Sequence, residues 1–335
     1  MGKLVSRIPF IVILIAGIVV LIVSFFITML FGAGDATFHD VWSALASNVN
    51  SEAVTSIREI RLPREIAAVF VGAALAVSGA IMQGVTRNPL ADPGLLGVTA
   101  GANAALAVTL AFLPNANYYA IMVACIIGAA VGTLIVLGIG AVKKGGFSPF
   151  RIVLAGAAVT AFLNAAAEGI GLYFKISKDV SMWTAGGLMG TAWEQLKVVI
   201  PFIAIGVIVS FILSRQLTIL SLNRELAVGL GQKSSQIKII LFIVIILLAG
   251  SAVALAGNLA FLGLMIPHIV RTIVGTDYRL ILPMSAVIGP IFMLLADTFS
   301  RTINAPYETP IAAIVSILGL PFFLFVVHKG GRAFS

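Results

Sequence analysis

Ten apolar runs of roughly 20 residues, set apart by short polar turns, decide what this chain can become. In lipid every backbone N–H and C=O must be satisfied within its own segment, so runs of this length fold as bilayer-spanning helices. They cover Ile8–Phe31, Arg64–Val85, Pro93–Leu113, Tyr119–Val142, Phe150–Tyr173, Leu196–Leu213, Ile237–Ala256, Leu259–Val274, Leu280–Phe299 and Thr309–His328. Charged residues make up 10% of the chain and apolar ones 60%, whereas roughly a quarter of a soluble domain is charged. The expected fold is therefore all-α and polytopic, with residues 1–335 forming a single transmembrane domain.

The first run follows Lys3 and Arg7 and is too long for a signal-peptide core of about 7–15 residues, so it reads as a span with its amino terminus inside. The longest polar stretch, 32–62, is expected as an outer loop, with a short surface helix over Val41–Ala46. With both termini inside, 14 of the 21 Lys and Arg residues fall on the inner side and 7 on the outer. That two-to-one bias is the positive-inside pattern. It also explains the net charge of +8 as membrane orientation rather than nucleic-acid binding.

Several chemistries are excluded. Cys125, the single cysteine, lies in an apolar run, and His39, His268 and His328 are too scattered for a metal centre. No Ser/His/Asp, Cys/His or His-Glu-x-x-His arrangement supports hydrolysis. Neither an enzyme, a cofactor nor a metal is expected. Glu168 and Asp297 near outer span ends and His268 near an inner one do not form a chain of acids across the bilayer. This argues against a proton- or sodium-driven carrier.

The stretch Arg61–Gly101 concentrates the rest. Arg61 and Arg64 flank Pro63, which suits the first turn of a helix. Snorkelling to headgroups accounts for any one arginine, and Arg301 stands four residues after Asp297, the spacing of a local helix pair. Several arginines at one mouth, far apart in sequence, favour a docking surface for an acidic partner. Ala68, Gly72, Ala76, Ala80 and Gly84 recur every fourth residue, as do Ala157, Ala161, Ala165 and Gly169, and Gly97, Gly101 and Ala105 make a shorter run. Such stripes let membrane helices pack closely.

At Arg87-Asn-Pro-Leu-Ala-Asp-Pro-Gly94 each proline pushes its predecessor out of the helical region, and Asp92 can cap a new helix. This is either a plain inner turn or a constriction with Asn88 and Leu90 facing a pathway; the loop Gly145–Phe150 would be a second constriction. Within 217–236, Leu222–Gly231 reads as a short amphipathic helix, a solvated one or one presented to an inner partner. Gln232 stands where a phosphate loop needs glycine, so nucleotide binding is rejected. Gly72–Gly79 and Gly250–Gly257 echo each other, and each precedes a Pro-broken segment, the mark of a weak internal repeat.

Arg61–Arg64, Gly72–Val98, Gly263–Arg271, Leu294–Arg301 and Glu308–Phe323 together resemble the permease family of iron–siderophore and vitamin B12 ABC importers, of the type II fold. The resemblance runs from Arg58 to about Phe325. It implies about ten helices and a second permease subunit, identical or related, paired around a central path. It also implies two cytoplasmic ATPase subunits beneath, an extracytoplasmic substrate-binding protein or lipoprotein above, and a bacterial cell-membrane location.

By motif match, Arg61, Arg64 and Arg301 take the positions that meet the binding protein. Asn88 and Leu90 take the cytoplasmic gate, with Ser148, Pro149 and Phe150 near its second loop, where Pro149-Phe150 departs from the family's small polar residues. Asn223, Arg224, Glu225, Leu226, Ala227, Gly229 and Gly231 fall in the helices that couple to the ATPase. The wording of Asp179–Gly187 and Tyr307–Pro310 resembles permeases for ferric siderophores. Cobalamin and haem are the alternative substrates, and an ion-coupled secondary transporter is the alternative from another class.

Overall fold

A computed structural model describes residues 9–31, 37–47, 51–141, 149–222, 234–305 and 307–330. Among them every regular element is helical. The helices are α1 (Phe10–Leu30), α2 (Phe38–Ala46), α3 (Glu52–Ser56), α4 (Leu62–Thr86), α5 (Val98–Phe112), α6 (Tyr118–Ala141) and α7 (Pro149–Tyr173). They continue with α8 (Ser177–Thr184), α9 (Trp193–Ile212), α10 (Ser214–Leu222), α11 (Ser234–Ala256), α12 (Leu262–Val274), α13 (Tyr278–Thr302) and α14 (Ile311–Gly330). Among the described residues eight stretches are long and apolar enough to cross a membrane, and α5 and α12 are shorter apolar helices, so each of the ten expected spans finds a helix. At 15 and 13 residues, α5 and α12 rise only about 22 and 20 Å, short of a hydrocarbon core of about 30 Å.

Several boundaries differ from expectation. The surface helix begins at Phe38 rather than Val41, because Thr37 and Asp40 close a reciprocal capping box. The second half of the expected loop 32–62 is helical. From Glu52 the chain runs as one continuous helix to Thr86, with a wide π turn over Ile57–Arg61. That turn lies just ahead of Pro63, which lacks an N–H and crowds the carbonyl four residues back. Arg61 and Pro63 therefore sit inside a helix, not at its start. The span expected from Pro93 opens with a 3-10 turn, Pro93–Leu96, and becomes α-helical only after Gly97, whose φ of 70° breaks the run. Likewise α12 begins at Leu262, after Phe261 adopts φ 66°.

α4 is the axis of the bundle, buried along nearly its whole length, with α13, α11, α12 and α9 around it. Its small-residue stripe allows this. A side chain on Gly72 would meet the backbone of Gly289 at 2.6 Å, and α13 crosses there almost in backbone contact. Gly101 and Ala105 on α5 meet Gly128 of α6 in the same way. The α7 stripe behaves otherwise: Ala157, Ala161, Ala165 and Gly169 are all exposed, and a side chain on Gly169 would meet nothing within 4 Å.

The sequence echo has a structural counterpart. α4 leads through a break into short α5, and α11 leads through a break into short α12. Asp92 and Pro93 lie against Gly263, which also packs on Leu75 and Gly79. Both breaks thus come to the level of the middle of α4.

Candidate translocation route

Irregular backbone halfway through a bilayer is tolerated only where protein buries it or a water-filled cavity receives it. Here the two breaks wall one cleft of about 580 Å³, with Asn88, Leu90, Asp92 and Leu95 on one side and Asn258–Phe261 on the other. Local chemistry holds each break. Arg87 closes α4 in the left-handed conformation (φ 54°), and its Nε donates to the Leu220 carbonyl of α10 at 2.8 Å. The Leu90 N–H donates to Asn88 Oδ1 at 3.0 Å, so Asn88 both ties the turn and borders the cleft. Leu90 lines the same wall. The strained Phe261 is held by Gly319 of α14, where any side chain would meet its Cβ at 2.4 Å.

This cleft is one of four that share lining residues in succession. Asn88, Leu95 and Val153 also line a cleft of about 590 Å³ at the end where α4 finishes. Asn258 joins the middle cleft to a polar one of about 520 Å³. Ala185 joins the polar cleft to a fourth, about 530 Å³, which reaches Arg64 and Glu308 where α4 begins. One face of α7 borders three of them, through Val153, Gly156, Thr160, Asn164, Glu168 and Gly171. Steps of three and four residues keep these on one side of the helix.

At the end where α4 begins lies a buried ion-pair cluster. Arg64, 7% exposed, donates from Nε and Nη2 to Asp297 at 2.9–3.1 Å and from Nη1 and Nη2 to Glu308 at 2.8 and 2.9 Å. Arg301, 5% exposed, donates to Glu65 at 2.5 Å and to the Phe31 carbonyl at 3.3 Å. Its Nε lies 3.1 Å from Asp297 without hydrogen-bond geometry. Glu65 also accepts from Thr28 of α1 at 3.0 Å. Arg61, half-buried, donates to the Met29 carbonyl at 3.0 Å, and Arg58 donates to the Ser43, Ala44 and Ser47 carbonyls, capping the C-terminus of α2.

The three arginines expected to face a partner thus include two that are sunk in the bundle and matched by carboxylates of their own chain. Sequence spacing revealed the Arg301–Asp297 pair. It did not reveal Glu65 or Glu308, although a charge next to Arg64 inside an apolar span was a usable signal.

Asp92 caps the 3-10 turn, its Oδ1 accepting from the Gly94 N–H at 2.8 Å.

Ser148 of the second expected gate loop lies outside the described residues, as do Asn223, Arg224, Glu225, Leu226, Ala227, Gly229 and Gly231 of the expected coupling segment. Pro149 and Phe150 form the first turn of α7. Residues the sequence did not single out include Asn103 and Asn258, both lining the polar cleft.

The comparisons with known proteins agree with this architecture. The FecCD transport family profile matches residues 20–329. The iron(3+)-hydroxamate import system permease protein FhuB of Bacillus subtilis is 41% identical over 323 residues, covering 96% of this chain and 84% of that one. The hemin transport system permease protein HmuU of Yersinia pestis is 38% identical over 309 residues, covering 89% and 90%. A metal-chelate type ABC transporter solved in an inward-facing conformation superposes with a TM-score of 0.82 at 25% identity, over 95% of this chain and 99% of that one. With a match across nearly its whole length, the chain belongs to the FecCD transport family, whose members are multi-pass membrane permeases.

Proposed function

We propose that this chain is one of two permease subunits of an ATP-driven importer of ferric siderophores. The observation that carries the reading is the succession of four clefts from the ion-pair cluster to the far end of α4, bordered at mid-depth by both broken stretches. Paired broken helices at the centre of a repeat-built bundle are where transporters hold their cargo. The siderophore assignment is supported by the hydroxamate permease among its relatives, while the hemin permease keeps haem as the second reading.

In this reading the cluster end faces outward, in keeping with the basic-residue bias. A substrate-binding protein docks there and ATPase subunits engage 217–236 on the inner side. Arg64 can offer itself to a partner carboxylate only by releasing Glu308, the cluster carboxylate that water reaches. Arg61, on the rim, is the guanidinium whose reversal tests docking without breaking the buried cluster. The exposed line Ala157, Ala161, Ala165 and Gly169 supports packing of the second permease along α7, beside the clefts. Asn88 and Leu90 form the inner constriction. ATP drives the exchange of inward-open and outward-open states through the difference in affinity of the ATPase for the two.

The test is uptake into proteoliposomes holding the permease pair and the ATPase, with loaded binding protein outside. Ferric siderophore should accumulate only with ATP, and Arg61→Glu should weaken binding-protein docking. Uptake that persists without ATPase and binding protein would establish a secondary transporter instead.

A further inference from the structure

The polar cleft beside α7 is a built site. Asn103 of α5 is 4% exposed, and its Oδ1 is buried with no hydrogen-bond partner. Buried polar atoms are almost always satisfied by protein or water, so an acceptor in the cleft wall that no protein donor reaches is left for water or a guest. Asn164 and Glu168 stand one turn apart on α7 and border the same space. Among the described residues Glu168 has no hydrogen-bond or ion-pair partner. Ser177, Ser181 and Thr184 present one face of α8, and Asn258 closes the side toward the middle cleft. No lysine or arginine lines it.

We infer that this cleft is a chelate-binding station that favours neutral or cationic ferric hydroxamates over anionic chelates. The inference rests on the importer reading above and narrows its substrate. Iron(III) held by three hydroxamates is neutral, and a free ammonium elsewhere on the ligand makes the complex a cation. Three catecholates leave it with three negative charges, and the propionates of haem are likewise anionic. An unpaired carboxylate within a span is a functional group by default. With no lysine or arginine lining the cleft, Glu168 repels an anionic complex and attracts an ammonium. The surplus here is of acceptors, namely Asn103 Oδ1 and the two Glu168 oxygens. Amide N–H and ammonium groups of a hydroxamate backbone are the donors that match them.

The experiment uses the assembled importer in proteoliposomes. Each chelate's affinity for the binding protein is measured separately, so that its preference can be divided out. The probes are a ferric trishydroxamate carrying an ammonium, a neutral ferric trishydroxamate and a ferric triscatecholate. The parent should transport the first two well ahead of the third. Glu168→Gln should lower the cation-to-neutral uptake ratio about tenfold, and Glu168→Lys should invert it, since tenfold is about 1.4 kcal/mol, within what unit charges about 4 Å apart near a protein surface supply even after solvent screening. Asn164→Asp, which adds a carboxylate on the same face, should raise the ratio. Ratios that stay at the parent value in the Glu168 variants and in Asn164→Asp would overturn the inference, as would triscatecholate uptake matching the hydroxamates. Absence of ATP-driven uptake of every chelate would instead count against the importer reading.

Discussion

Replacing Asp297 with alanine is expected to cost about 3–5 kcal/mol, more than any other single change in the ion-pair cluster. Asp297 is 0% exposed, receives hydrogen bonds from Arg64 at 2.9–3.1 Å and lies 3.1 Å from Arg301. Its loss leaves Arg64 with Glu308 alone and Arg301 with Glu65 alone, two guanidiniums 7% and 5% exposed that water can rehydrate only in part. The damage should spread, because the cluster fastens α4 to α13 and, through Glu65 and Thr28, to α1. Glu308→Gln is the contrast. Its carboxylate is 25% exposed, so solvent screens part of the interaction, and the loss should be well under half as large. Thermal unfolding in detergent, with a double-mutant cycle over Arg64 and Asp297, measures both. Equal midpoints for Asp297→Ala and Glu308→Gln would show that the cluster is solvated rather than buried.

The cluster also marks where sequence reasoning stops. Apolar length announced the spans, because lipid leaves a long apolar segment no alternative to the helix. The prolines at 89 and 93 announced the first break, because each removes an N–H and constrains its predecessor. The second break was announced only through the echo, and the proline that suggested it, Pro267, lies inside α12 rather than at the break. Its left-handed residue is Phe261, a type that avoids that conformation, held there by Gly319 from another helix. Charge placement was legible in the same partial way. The arginines stood out against apolar surroundings, yet Arg64 and Asp297 are 233 positions apart, and no local spacing reports such a pair. The stripes on α4 and α7 are indistinguishable as patterns, although one is buried against Gly289 and the other is exposed. Asn103 resembled any polar residue in a small-residue helix until its cleft was visible.

Gly79→Ala should be among the most damaging one-carbon changes in the bundle. A Cβ at this position would lie 1.9 Å from the Gly263 carbonyl oxygen, 2.4 Å from its carbon and 2.5 Å from its Cα. These are backbone atoms with no rotamer to yield, so α4 and α12 must separate. Overpacking of this kind costs about 1–3 kcal/mol or more. Separation would also break the bond from Gln83 Nε2 to the Leu264 carbonyl at 3.1 Å and move the start of α12, next to Phe261 in the wall of the middle cleft. Stability and uptake should therefore fall together. Gly263→Ala tests the asymmetry of the contact. Its nearest neighbours stand at 3.1 Å, and one is the Asp92 carboxylate, which can shift, so a smaller loss is expected. Gly138→Ala on α6 meets nothing within 4 Å and should leave stability unchanged or slightly raised by better helix propensity. The measurements are thermal unfolding midpoints and ATP-driven uptake for the three variants side by side. If Gly79→Ala unfolded at the temperature of Gly138→Ala, the backbone contact between α4 and α12 could not be what holds the cleft wall in position.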